Sequence, residues 1–389
     1  MISRRLQPFG TTIFSEMTRL AGEHGAINLS QGFPDFDGPP EILAAASAAI
    51  AGGENQYARS LGHPRLVRAV ASSLARRRGL VYDPEREVAV TCGATEGIAA
   101  AMLGLLEPGD EVLVCEPVYD SYPAAAALAG ARTVAITLRF PDFALDVDAV
   151  ARAVTPRTRM LLLNSPHNPT GKVFTADELA ALAAICRRHD LLVLADEVYE
   201  LLTYDGREHR SIAALDGMRE RTLRLSSAGK SFSCTGWKIG WAVGPAPLVA
   251  ALQAAHQFLT FCAAAPLQVA VAHALETLDD RYERGLQAEY AARRDFLAQV
   301  LAEVGFTVAP CQGTYFLLAD FTKLWAGDDL SFARHLVESR GVAAIPPSVF
   351  YLAARDEGRR LLRFAFCKQL ATLEAAAGRL RGTDDRPRP

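Results

Sequence analysis

Two lysines eight residues apart, Lys230 and Lys238, sit in the segment SSAGKSFSCTGWKIGW, residues 226–241, directly after the short apolar run TLRLS (222–226). Around them lie the hydroxyls of Ser226, Ser227, Ser231, Ser233 and Thr235 and the glycines Gly229, Gly236 and Gly240. An amine can form a Schiff base with an aldehyde, and cations with hydroxyl or amide donors can hold a phosphate. This one segment offers both halves of a site for a phosphorylated aldehyde. The plainer alternative is a solvated Ser/Gly-rich loop with two surface lysines.

Two further segments carry groups suited to the same chemistry. In LLLNSPHNPTG (161–171) an apolar run leads into a loop with Asn164 and Asn168, placed as side-chain donors at the rim of a sheet. Read alone, Asn-Pro and Thr-Gly also make an ordinary turn. In LLVLADEVYE (191–200) a continuously apolar strand ends in Asp196, with Tyr199 three residues on. A carboxylate at the end of a buried strand is costly without a positive partner, and a protonated pyridine nitrogen would be one; a helix-capping Asp is the alternative. Arg363 stands in LLRFAFC (361–367) with apolar residues on both sides. A lone arginine there is expensive unless it meets a carboxylate, as in a buried salt bridge.

These residues need a scaffold, and the pattern supplies one. The runs EVAVT (87–91), EVLVC (111–115), RTVAI (132–136), MLLLN (160–164), LLVLA (191–195), TLRLS (222–226) and IGWAV (239–243) mostly lack period-two alternation. That is expected of strands buried on both faces of a mostly parallel sheet. TADELAALAAICRRHD (175–190) has capping-box spacing at Thr175 and Glu178, with arginines gathered at its end, and reads as a crossover helix. CGATEGIAAAMLGLLEPGD (92–110) reads as another, whose first turn at Gly93, Ala94 and Thr95 offers free N–H groups to a phosphate. Near residue 285 the pattern changes to a long polar helix (LQAEYAARRDFLAQVLAEVG), strand-like GTYFLLAD and LLRFAFC, and a last helix.

The expected architecture is therefore α/β. Residues 46–285 form a large domain around a seven-stranded sheet, and residues 286–381 with the arm 1–45 form a smaller α+β domain; the tail 382–389 is expected to be disordered.

Composition narrows the field. Of 389 residues half are apolar, enough for a large core, and a net charge of −3 argues against nucleic acid as a principal partner. The seven cysteines are scattered with no CxxC pair, which predicts neither a metal site nor a disulfide scaffold. MISRRLQPFGTTIF has no apolar core of a signal peptide, and no run approaches a membrane span, so a cytoplasmic protein is expected.

In order and spacing, N-P-x-G (168–171), D-x-x-Y (196–199) and S-x-x-K-x-F-x-x-x-G-W-K (227–238) resemble the fold-type I, class I/II aminotransferases, which use pyridoxal 5′-phosphate. The resemblance extends to SQGFPDF (30–36), NQY (55–57), CGATE (92–96), EPVYDSY (116–122), HQFLTF (256–261), GTYF (313–316), GVAAIP (341–346) and LLRFAFCK (361–368). It is nearest to the kynurenine/methionine/glutamine branch and is similar also to N-succinyldiaminopimelate aminotransferases.

The resemblance implies roles. Lys230 holds the cofactor as a Schiff base and then moves the substrate proton; the inverse assignment gives that role to Lys238. Lys238, where most of the superfamily has arginine, binds the phosphate with Ser227 and the turn Gly93–Ala94–Thr95. Asp196 pairs with the ring nitrogen, Asn168 and Tyr199 face the ring oxygen, and Tyr119 stacks on the ring, its alternative being a core tyrosine. Tyr57 reaches the phosphate of the other subunit, implying a homodimer. Arg363 clamps the substrate carboxylate with Asn164 near it. Gly32, Phe14, Phe33 and the partner-facing Phe261 line the substrate pocket.

No second arginine is evident for a distal carboxylate, which favours an apolar, thioether or aromatic amino donor such as methionine, phenylalanine or glutamine. Cys262 replaces the histidine of mammalian kynurenine enzymes, which weakens the case for kynurenine. The alternatives are a cysteine-conjugate C–S β-lyase and an N-succinyldiaminopimelate aminotransferase. A non-catalytic effector-binding domain of a transcription regulator is disfavoured, because only residues 1–27 precede NLSQGFPDF.

Overall fold

Seven strands form the central sheet, in the order Val88–Thr91, Gly240–Val243, Thr222–Ser227, Leu192–Asp196, Thr158–Asn164, Glu111–Glu116, Arg132–Thr137. Each coincides with one of the apolar runs, within a residue or two at the ends. Gly240–Val243 is antiparallel to both neighbours and all other pairings are parallel. The computed structural model describes residues 2–10 and 12–382, so the tail expected to be disordered lies, from residue 383 on, outside the described residues.

Parallel neighbours require crossovers, and the helices supply them. Ala176–Arg188 joins two adjacent strands. Its capping box is complete, with the Thr175 hydroxyl accepting from the Glu178 amide and the Glu178 carboxylate accepting from the Thr175 amide. Gly93–Leu105 packs an alanine-rich face on the sheet. The carboxyl ends of the parallel strands thereby meet along one edge, the usual ligand rim of an open α/β sheet. Asn164 and Asp196, both strand-terminal, are register partners there.

A second core joins the two ends of the chain. Ile27–Asn28 pairs in parallel with Val342–Ala343, and Phe316–Asp320 pairs antiparallel with Leu361–Ala365 and Thr307–Val308. Helices Ile13–Glu23, Asp280–Val304, Asp329–Arg340 and Leu370–Arg381 bury their apolar residues in the same cluster, which also takes in Tyr199 and Tyr315. Asp280–Val304 begins six residues before the run that predicted it. The Asp279 carboxylate caps it by accepting from the Arg281 amide, so the polar DRYERG turn is helical without an apolar stripe. Among the described residues no helix is long and apolar enough to cross a membrane.

Candidate active site

A cavity of about 340 Å³ opens at the ligand rim between the two cores, within the range of small-molecule sites. Every residue singled out for the site lines it except Tyr57, Phe33 and Phe261. Those three are exposed on this chain. Tyr57 packs edge-on against Phe261 at 5.5 Å, and the Lys368 ammonium lies 4.5 Å over the Phe33 ring.

Lys230 enters the cavity from the short helix Ala228–Ser231, one turn beyond the strand Thr222–Ser227. Its amine donates to the Tyr315 hydroxyl at 2.6 Å and to the Gly32 carbonyl at 3.4 Å. Burial pushes its pKa down to about 8, against the pull of Cys367 and Asp196. Lys238 takes a left-handed backbone (φ 54°) that turns its chain back over the helix Gly93–Leu105. Its Nζ lies 3.3 Å from where a Cβ on Gly93 would stand. No side chain caps that helix, so its first N–H groups and the Lys238 ammonium converge on one spot, with Ser227 and Thr235 on the same wall. Such a convergence suits a phosphate.

Asp196 ends its strand fully buried. One carboxylate oxygen accepts from the Tyr122 hydroxyl at 2.6 Å and the other from the Val198 amide at 3.3 Å. Burial raises its pKa, an effect these hydrogen bonds oppose. Asn164 holds the rim together: its amide donates to the Asp196 carbonyl at 2.9 Å and its oxygen accepts from the Asn168 backbone at 2.7 Å. Both ends of its amide group are thereby committed to the scaffold. The Asn168 side-chain oxygen accepts in turn from Arg363 Nη1 at 3.2 Å.

Arg363 is 1% exposed. Its Nη2 donates to the Ser30 carbonyl at 2.9 Å, its face lies 4.0 Å from the Phe316 ring centre, and its Nε has no partner. No carboxylate among the described residues pairs with it, so the buried salt bridge is not what the sequence built. Burial lowers its pKa to about 10, which leaves it cationic at neutral pH. Phe14 and Phe350 close in at 5.2 and 5.4 Å.

Sequence reasoning missed the partners behind these groups. Tyr122 lies within EPVYDSY but nothing local shows that it meets Asp196. Behind the Asp196 strand end, Arg224 pairs with Glu197 and Glu200, and His209 and Ser211 complete a buried network. Glu197, Glu200 and His209 have ligand atoms within 4.8 Å of one another, yet the Arg224 guanidinium already fills the cation's place between the carboxylates.

An amine of lowered pKa, a buried acid at a strand end, a phosphate seat and an unpaired buried arginine are the parts of a site for amino-group exchange on an aldehyde cofactor. The family model of class I and II aminotransferases matches residues 24–380, and the chain belongs to that family. It is an aminotransferase dependent on pyridoxal 5′-phosphate, and the donor set above fits that group at each end. The chain is 53% identical, over all of both chains, to the probable N-succinyldiaminopimelate aminotransferase DapC of Mycobacterium tuberculosis. It is 42% identical to the methionine aminotransferase of Escherichia coli, over 97% of each chain. The solved structure of the M. tuberculosis N-succinyldiaminopimelate aminotransferase superposes with a TM-score of 0.95, covering 99% of this chain and 100% of that one.

Proposed function

We propose that the enzyme moves the amino group of an apolar, thioether or aromatic L-amino acid to a 2-oxo acid by a ping-pong exchange, with Lys230 as its reactive amine. Bound in the cavity, pyridoxal 5′-phosphate supplies the aldehyde that carries the amino group and a ring able to hold the electron pair left at the donor's Cα. Lys238, Ser227 and the amides of Gly93, Ala94 and Thr95 would hold its phosphate. Asp196 would hold the proton on its ring nitrogen, Asn168 and Tyr199 would face its ring oxygen, and Tyr119 would pack on its ring.

The observation that carries the reading is Arg363, a buried cation with an unused Nε and no carboxylate of its own. It binds the α-carboxylate of the donor in a water-poor pocket walled by Phe14 and Phe316. Lys230 Nζ, neutral in a substantial fraction near pH 8, takes the proton from the donor's Cα. The cations that line the cavity are Lys230, Lys238 and Arg363, each already employed, which leaves none for a distal carboxylate. A second reading, N-succinyldiaminopimelate as donor, is supported by the 53% identity to the relative of that name. Single-turnover half-reactions decide. Mixed with methionine, phenylalanine, glutamine, aspartate or N-succinyldiaminopimelate without an oxo acid, the loaded enzyme should lose its aldehyde absorption fastest with one of the first three. Fastest loss with aspartate would sink the reading, and fastest loss with the succinylated donor would establish the second.

We also read the chain as a homodimer, with residues 46–285 as the large domain and 1–45 with 286–381 as the small one. Tyr57 and Phe258 are 85% and 86% exposed, next to half-exposed Phe261 and Leu259. Such an apolar cluster suits burial against a second copy, whose phosphate site Tyr57 would reach. Sedimentation of the loaded enzyme should give twice the chain mass, and a monomer would contradict this.

A further inference from the structure

The amine of Lys230 belongs to a closed triangle of polar atoms. It lies 2.6 Å from the Tyr315 hydroxyl and 3.4 Å from the Gly32 carbonyl oxygen, and the hydroxyl is 2.6 Å from that same carbonyl. A phenol has one proton, and a carbonyl can only accept. Tyr315 therefore spends its proton on Gly32 and presents a lone pair to Lys230. The N–H bonds of the lysine are turned toward two acceptors, and the lone pair of the neutral amine meets no donor from this pair.

The surroundings hold this arrangement in place. Tyr315 is 1% exposed, edge-on to Tyr199 at 5.1 Å and stacked on Tyr290 at 6.2 Å. Gly32 is where it is because it has no side chain: a Cβ there would stand 2.6 Å from Phe316 Cζ and 3.1 Å from Tyr315 Cε2. The same loop lends its Ser30 carbonyl to Arg363. One stretch of backbone thus steadies both the carboxylate clamp and the amine. Ring packing alone would be served by phenylalanine; the hydroxyl matters for its hydrogen bonds, to Lys230 and Gly32 in the triangle and to Tyr199 beside it.

We propose that Tyr315 is a positioning residue for the reaction: with the Gly32 carbonyl it holds the free amine of Lys230 in one orientation, aimed to attack the aldehyde carbon and to receive the substrate proton. This rests on Lys230 being the reactive amine. The test uses Tyr315→Phe, which keeps the ring. When cofactor-free protein is mixed with pyridoxal 5′-phosphate, the amine adds to the aldehyde carbon and water leaves, a step followed by its absorbance. We expect this capture to slow on the order of tenfold in the variant. The kcat should fall by a similar factor while KM for the amino donor stays within twofold, because the variant removes none of the groups that Arg363 touches. Capture rate and kcat equal to those of the parent would overturn the proposal. Should Tyr315→Phe fail to fold, Gly32→Ala decides: its methyl group would press on Phe316 and then on the Tyr315 ring, so slowed capture with KM for the donor within twofold supports the triangle, and any other result refutes it. Borohydride reduction of the loaded parent followed by peptide mapping separates the two ideas. A label away from Lys230 would sink the reading beneath the proposal, whereas a label on Lys230 with undiminished capture in Tyr315→Phe would sink only the role of Tyr315.

Discussion

Lys230 and Arg363 are both buried cations, and burial moves both in the same direction, yet with different consequences. For Lys230 the shift to about 8 brings the neutral amine into the working range. An unshifted lysine titrates near 10.4 and would be neutral in well under ~1% of molecules at pH 8. Aldehyde capture by the cofactor-free protein should therefore rise with pH to a half-maximum near 8; a rate still climbing steeply past pH 10 would contradict the buried amine. Arg363 remains charged, and its guanidinium fork is the asset. Arg363→Lys keeps the charge but loses the two-point grip and the planar contact with Phe316. We expect KM for the amino donor to rise roughly 10- to 100-fold, the effect of one or two charge-assisted hydrogen bonds, and a rise below twofold would refute the clamp. At this scale the sequence was informative where chemistry is local. Lys230, Asp196, Asn168 and Tyr199 lie in short stretches whose spacing is set by a strand end or a turn. Their partners are remote: Tyr122 is 74 residues from Asp196, Tyr315 is 85 from Lys230, and Asn168 is 195 from Arg363. Only the fold decides those pairings.

Six of the large-sheet strands were legible because burial on both faces demands continuous apolar runs, and the edge strand Arg132–Thr137, only partly buried, by its β-branched residues. Ile27–Asn28 and Val342–Ala343 were not, since two residues carry no periodicity and their pairing joins opposite ends of the chain. At this scale Gly240 decides how closely a strand approaches the start of the helix Gly93–Leu105. A Cβ there would stand 2.7 Å from the Gly93 carbonyl carbon and 2.8 Å from the Ala94 nitrogen, both backbone atoms that cannot step aside. Gly240→Ala should weaken cofactor affinity and cost roughly 1–3 kcal/mol of stability, seen together in cofactor titration and thermal melts. Unchanged cofactor affinity would mean that the helix start is not the phosphate seat. Thr175→Ala is the matching control away from the site. It removes the capping box of Ala176–Arg188 and should cost about 1 kcal/mol with kcat unaltered.

Across the whole molecule, the buried network of Arg224, Glu197, Glu200 and His209 ties the strand Thr222–Ser227, which leads to Lys230, to the segment after Asp196. Its ion pairs hold the Glu197 pKa down to about 2 despite the opposing effect of burial. A carboxylate depressed in the fold stabilises above its unfolded value and loses that contribution as pH falls toward the folded one. Stability should therefore decline between about pH 4.5 and 2, and Glu197→Gln should flatten that slope in urea titrations run across the window. An equally steep slope in the variant would place the acid sensitivity elsewhere. No sequence pattern discloses this network, because Arg224 stands 27 residues from Glu197 and 24 from Glu200, and only the fold sets it between them.

The central claim is that Lys230 is the amine that holds the cofactor. The direct measurement is borohydride reduction of the loaded enzyme, digestion and mass mapping of the peptide that carries the reduced cofactor. The account predicts a single modified residue, Lys230, within SSAGKSF. A label on Lys238, or none on either lysine, would contradict it.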